Sequence, residues 1–183
     1  MKLLTLIIEG YQEIEVYGFL GTINRSKQFS KIDYWNPDEK EIVYGSNQIG
    51  SIQTITQNIN VNDYDAIFIP GGEACINLRT NTKALNLIKE FVNQDKWIFA
   101  ICDAPNALFD NQILENKVYS SYPIPNIKKI SSPKRTSNYV SVDGKYISGK
   151  CPSASIDLAL KVLEIVFSKE ISEKVYCEVY AIE

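Results

Sequence analysis

The sequence predicts an α/β fold, a three-layer sandwich with a mainly parallel sheet between helical layers and a small antiparallel hairpin. Three observations predict it. Continuous apolar, β-rich runs recur without alternation at 3–8, 65–69 and 97–101, the pattern of strands buried on both faces in a parallel sheet. Segments with helical spacing fall between them, so strand and helix patterns alternate along the chain. Each run ends in a turn, at Glu9-Gly10, Pro70-Gly71-Gly72 and Cys102.

Leu3 to Ile8 forms the first strand, closed by Glu9-Gly10. From Glu13 to about Asn24, Ile14, Tyr17, Leu20 and Ile23 stand near helical spacing. Lys31 to Trp35 predicts a second strand, ended by Asn36-Pro37-Asp38. Residues 41–55, with turn signals at Gly45-Ser46-Asn47 and Gly50-Ser51, predict one or two short antiparallel strands. The strand from Asp65 to Ile69 leads to a helix from Thr82 to Gln94, with Leu85, Ile88, Phe91 and Val92 on its inner face. Trp97 to Ile101 is the strand before Cys102, and Asp103-Ala104-Pro105 suits the first turn of a helix running to about Asp110. Lys117 to Ser121 opens a turn-rich, β-like section, in which Asp143-Gly144 predicts a hairpin between 139–142 and 145–148. A long helix starts at Pro152-Ser153 with a stripe of Ile156, Leu158, Ala159, Val162, Leu163 and Val166, and Ile171 to Tyr180 predicts a last segment, helical at first and loosely tied at its end.

The 183 residues fit one domain, 1–183, with a substantial core. Hydrophobic residues at 45% and charged residues at 22% exclude a disordered or fibrous chain. A net charge of -3 gives no general attraction to nucleic acid or to an anionic membrane. The basic cluster Lys128, Lys129, Lys134 and Arg135 reads as a solvated loop. The opening MKLLTLIIEG lacks the length and the cleavage site of a signal peptide, and no run approaches the roughly 18 apolar residues that cross a bilayer, so a cytoplasmic protein is expected. Four cysteines, at 75, 102, 151 and 177, are widely spaced without a CxxC pair, which argues against structural zinc and a dense disulfide scaffold. No histidine occurs, which removes Ser-His-Asp and Cys-His machinery and the commonest metal ligand. No metal or cofactor is expected.

In open α/β sheets ligands bind beyond the carboxyl ends of the strands, so the three turns can converge on one site. Cys102, at a sharp strand-to-helix turn, is expected to be exposed there, its sulfur near the positive end of a helix dipole that favours thiolate. The plainer reading, a cysteine serving as a small buried hydrophobe, stands beside it. Without histidine, activation must come from backbone amides, the dipole and a carboxyl group, and Glu15 is the candidate. A protonated Glu15, its pKa raised by burial and a negative neighbour, would donate a hydrogen bond to sulfur, and the two would titrate as a unit. The alternative is a solvated glutamate beside Glu9 and Glu13. The amides of Gly71, Gly72 and Asp103 can bind an oxyanion on a substrate carbonyl, worth about 3 kcal/mol per donor, or the oxygens of a sulfinate. Otherwise the two glycines make a tight turn.

GYQEIEVYG at 10–18, DAIFIPGG at 65–72, IFAICDAPNALFD at 98–110, ILENKVYSSYP at 113–123 and SGKCPSASIDLAL at 148–160 resemble, in order and spacing, the successive motifs of the DJ-1/PfpI family, also called ThiJ/PfpI. The resemblance covers nearly the whole chain. It implies a flavodoxin-like domain related to class I glutamine amidotransferases, usually a homodimer, with a reactive elbow cysteine at Cys102, its glutamate partner at Glu15, and the Gly72 and Asp103 amides lining the pocket. Family members with hydrolase-like or glyoxalase-like activity commonly carry a histidine directly after the cysteine or in the segment matching 120–123, where this chain has Asp103 and Ser121-Tyr122. Tyr122 can donate a hydrogen bond but is a poor base near neutrality, which disfavours a PfpI-type peptidase. Cys151 and Cys75 are candidate redox partners for an oxidised Cys102, or inert thiols. Two functions stay open: turnover of reactive carbonyls or similar small electrophiles, glyoxalase-like or deglycase-like, and a stress sensor whose cysteine is oxidised to sulfinate without turnover. A nucleotide-binding module fits poorly, because the first turn lacks a phosphate-binding glycine fingerprint.

Overall fold

The structure is a computed structural model that describes residues 1–124 and 132–182. The chain runs β1 (Lys2–Leu6), α1 (Glu13–Arg25), β2 (Lys31–Trp35), β3 (Ile42–Tyr44), β4 (Ser51–Gln53), β5 (Ala66–Ile69), α2 (Ala74–Leu78), α3 (Thr82–Asn93), β6 (Trp97–Ile101), α4 (Ala104–Asp110), β7 (Tyr119–Ser120), β8 (Arg135–Thr136), β9 (Val140–Asp143), β10 (Tyr146–Gly149), α5 (Ser155–Val166) and α6 (Lys169–Tyr180). The central sheet has six strands in the order β2-β1-β5-β6-β10-β9. All its pairs are parallel except β9 with β10, the hairpin that turns at Asp143-Gly144. The expected α/β fold with a mainly parallel sheet and a small hairpin is therefore the one adopted. The continuous apolar runs explain it: every residue of β5 is buried, and so are four of five in β1 and in β6, because helices cover both faces.

From β1 the chain crosses one way to β2, whereas from β5 it crosses the other way to β6. Right-handed crossovers then place α1 and α3 on opposite faces. Phe19 of α1 fixes the first face, stacking on Phe68 of β5 with ring centroids 4.0 Å apart. The reversal of direction opens a crevice beyond the carboxyl ends of β1 and β5, the position where such sheets bind ligands. Glu15, Gly71 and Cys102 all follow strands that end there.

Two elements differ from expectation. The five-residue α2 is too short for its periodicity to show in sequence. The last segment is helical throughout, to Tyr180: Ser168 caps its start by accepting from the Ile171 amide at 3.2 Å, Ser172 Oγ donates to Leu160 O at 2.8 Å, and Val175 is buried. Of the basic cluster, Lys128 and Lys129 lie outside the described residues. Arg135 is half-buried and not simply solvated: its Nε donates to Ser121 Oγ at 2.7 Å and its Nη2 to Ser121 O at 2.9 Å. No helix among the described residues is long and apolar enough to cross a membrane.

Glu13 ties the β3–β4 loop to α1. Its buried carboxylate accepts from Asn47 N and Asn47 Nδ2, both at 2.9 Å, and from Ile49 N at 3.4 Å. Burial alone would raise its pKa, but these bonds outweigh it and hold the group below the ordinary carboxyl value. Its contribution to stability is thus present above the ordinary value and lost as pH falls through the lowered one. Glu13→Ala is expected to cost about 2 kcal/mol and to speed amide exchange at 45–50, read by hydrogen-exchange mass spectrometry. Unchanged exchange in that loop would remove Glu13 as its anchor.

Candidate active site

Cys102 leaves β6 with φ 63, a left-handed conformation rare outside glycine that costs about 1–2 kcal/mol. Two backbone hydrogen bonds hold it there. The Cys102 amide donates to Gly149 O at 2.9 Å, and the Tyr122 amide donates to Cys102 O at 2.8 Å. The turn swings the side chain over Gly71, where a Cβ would stand 2.8 Å from Cys102 Cβ and 2.9 Å from Glu15 Oε2. Thiol and carboxyl meet above a glycine because nothing larger leaves them room.

Glu15, in the first turn of α1, is fully buried. Its Oε2 accepts from the Gly71 amide at 2.6 Å. Its Oε1 has no nitrogen or oxygen partner among the described residues, and the carboxyl lies against the Cys102 side chain. Burial raises its pKa to about 7, against the pull of the Gly71 and Cys102 hydrogen bonds. The Cys102 thiol is also pushed up, first by burial and then by the Glu15 carboxylate, with the Asp103 amide pulling the other way. Cys102 is buried, 7% exposed, rather than open at the sheet edge as expected, so burial and the neighbouring carboxylate oppose the thiolate that the start of α4 was expected to favour. One proton leaves this pair near neutrality, and burial together with repulsion from the carboxylate holds the second.

Of the three amides read as oxyanion donors, Gly71 is already engaged by Glu15. Gly72, at φ 91, has no acceptor for its N–H among the described residues, and a side chain there would collide with Gln12 N and Gly10 O, both at 2.6 Å. The Asp103 amide lies beside the sulfur. Gly72, Cys102 and Asp103 open onto a pocket of about 540 Å³ walled by Ile76, Tyr122 and Ile124. Tyr122 is 43% exposed, so it shapes the wall. A larger hollow of about 720 Å³, between α1 and the β3–β4 hairpin, contains neither Cys102 nor Glu15.

The remaining cysteines stand apart from the pocket lining. Cys75 is completely buried, and its thiol is pushed well up by that burial. Cys151 is half-buried with its sulfur 3.2 Å from Ser153 Oγ, and Cys177 is exposed on α6. Among the described residues no group of three or more His, Cys, Asp or Glu is placed to hold a metal. Arg79 and Asn106 were not foreseen. Both bind the Asp103 side chain, which therefore serves them rather than capping α4. No sequence spacing announces that pair, since Arg79 and Asp103 lie 24 residues apart at the ends of two elements.

Residues 1–165 match the sequence model of the DJ-1/PfpI family. The chain belongs to the DJ-1/PfpI family. Among its relatives, Uncharacterized protein MG029 of Mycoplasma genitalium is 28% identical over 88% of this chain and 86% of its own length. Deglycase PH1704 of Pyrococcus horikoshii is 25% identical, over 84% and 92% respectively. The oxidized DJ-1 structure of Toxoplasma gondii superimposes with a TM-score of 0.84 at 24% identity, covering 98% of this chain and 97% of its own. At that identity the likeness speaks for the DJ-1 fold.

Proposed function

We propose that this DJ-1/PfpI protein is a cysteine-dependent enzyme acting on small reactive carbonyls, with Cys102 as nucleophile and Glu15 as proton carrier. The observation that carries the reading is the buried Glu15 carboxyl, anchored by Gly71 on one oxygen, unpartnered on the other, set against the Cys102 thiol and titrating at about 7. Sulfur attacks the aldehyde carbon of a 2-oxoaldehyde while the thiol proton passes to Glu15, and the Gly72 and Asp103 amides hold the oxyanion. Glu15 then returns a proton to that oxygen, giving a hemithioacetal. Moving a proton from the former aldehyde carbon to the neighbouring one makes a thioester, and water cleaves it to a 2-hydroxy acid and free thiol. Ile76 and Ile124 make an apolar wall facing the sulfur, with Arg79 and Glu73 also on the lining, which suits a small polar carbonyl compound. Relatives named as deglycases support carbonyl chemistry.

Methylglyoxal consumption with lactate formation tests this. Cys102→Ser is expected to abolish it and Glu15→Gln to slow it about 100-fold or more. Turnover that survives Cys102→Ser ends the proposal. A second reading, oxidation of Cys102 to sulfinate without turnover, draws on the same amides, which would hold the sulfinate oxygens, and on the absence of histidine. Low peroxide then yields a stable gain of two oxygens on Cys102 and no lactate.

Ile14, Tyr17 and Ile49, at 60%, 46% and 82% exposure, give α1 and the hairpin loop an apolar outer face. A second copy of the chain is the proposed cover, making a homodimer. Free cysteines fit a reducing cytoplasm.

A further inference from the structure

Arg79 directly follows α2, and its guanidinium converges on Asp103, the residue after the nucleophile. Nη1 donates to Asp103 Oδ2 at 2.7 Å and Nη2 to Oδ1 at 2.9 Å, a two-pronged pair that a lysine cannot reproduce. Nη1 also donates to Cys75 O at 3.0 Å and Nε to Asp110 Oδ2 at 2.8 Å, which braces the group between α2 and α4. Asn106 Nδ2 adds a bond to Asp103 Oδ1 at 2.9 Å and another to Tyr122 O at 3.0 Å. Because the Tyr122 amide in turn holds Cys102 O, the residues on either side of the 102–103 peptide are fixed from their side chains and their backbone together.

We propose that Arg79 is a positioning residue for the Cys102–Glu15 pair: it locks the nucleophile turn through Asp103 and cancels a carboxylate charge that would otherwise hold protons on the pair. The inference rests on the reading of that pair as the reactive centre. Other ionisable groups around it act less. Asp110 is exposed and held by the same guanidinium, Glu73 is exposed at the pocket rim, and Cys75 stays a neutral thiol. Asp103 is half-buried, raises the Glu15 pKa by its charge, and faces Arg79 as its direct counter-ion. Tyr122 stands on the solvent side of the pocket.

The test is the rate of Cys102 alkylation by iodoacetamide from pH 5 to 10 on the full chain, with Cys102 resolved at the peptide level by mass spectrometry. Arg79→Gln is expected to move the midpoint up by about one pH unit, roughly a tenfold slower reaction near pH 7, with Arg79→Lys between it and the wild type. The double variant Arg79→Gln/Asp103→Asn is expected to return the midpoint close to wild type. An Arg79→Gln protein that reacts more slowly at every pH with its midpoint unmoved, or a double variant as displaced as the single one, overturns the proposal. Should Arg79→Gln fail to fold, Asp103→Asn alone must lower the midpoint, and an unchanged midpoint decides against the idea equally. Failure of the underlying reading looks different: Glu15→Gln then leaves the wild-type midpoint where it was.

Discussion

Glu15→Gln is expected to stabilise the protein at pH 8 while removing its chemistry. Glu15 titrates at about 7 in the fold against an ordinary 4.5, so the folded chain binds this proton more tightly than the unfolded one. Below about pH 4.5 both states are protonated and the group costs nothing. As pH rises from there to 7 the unfolded chain releases its proton first and stability falls; above 7 the loss is constant. The gap, 7 less 4.5, corresponds to about 3 kcal/mol. Glutamine cannot ionise, yet it keeps a carbonyl for the Gly71 amide and turns an amide toward the sulfur. Urea unfolding at pH 4 and pH 8 therefore should show the variant gaining up to about 3 kcal/mol over wild type only at the higher pH. The Cys102 thiol, freed from a neighbouring carboxylate, should titrate lower, but nothing remains to carry its proton to substrate, and turnover falls about 100-fold or more. A variant no more stable than wild type at pH 8 would mean that the carboxyl is not paying a desolvation cost, and with that the shared-proton account fails.

How much of this was readable from the chain depends on the range of each interaction. The runs in β1, β5 and β6 are apolar throughout, a property each strand carries alone, so the layers and the site's three strand ends could be read directly. Asp143-Gly144 announced its hairpin by turn chemistry just as local. Glu15 and Cys102 stand at the starts of segments that follow two such strands, and once the sheet closes they meet over Gly71. What escaped was set by distance and burial. The state of the Cys102 proton depends on how completely the crevice excludes water, and a helix-start motif says nothing of that. Gly71 looked like a free amide donor because the carboxylate that occupies it arrives from 56 residues away. Arg79 escaped for the same reason, since only the packing of α2 against α4 brings it to Asp103. Cys151, judged by its place before the last long helix, has its sulfur against Ser153 Oγ and does not line the pocket.

Gly71→Ala should be the methyl group that most directly parts the thiol from the carboxyl. Its backbone is not left-handed, so the objection is space rather than conformation. The new Cβ would stand 2.8 Å from Cys102 Cβ, 2.9 Å from Glu15 Oε2 and 3.0 Å from Ile101 O. Two of those neighbours cannot give way: Ile101 O belongs to β6 in the middle of the sheet, and Cys102 is held on both sides by Gly149 and Tyr122. The Glu15 carboxyl is the one that moves, and in moving it abandons the Gly71 amide at 2.6 Å. Overpacking together with a buried, unsatisfied N–H is expected to cost about 2 kcal/mol, a fall in Tm of about 4–8 °C for a chain of this size. Function should suffer more than stability, because the displaced carboxyl no longer meets the sulfur: the pH dependence of Cys102 alkylation should become that of a lone buried thiol, as in the Glu15→Gln protein. Gly71→Ala with wild-type Tm and wild-type alkylation profile would show that the carboxyl reaches the sulfur by some route other than over this glycine.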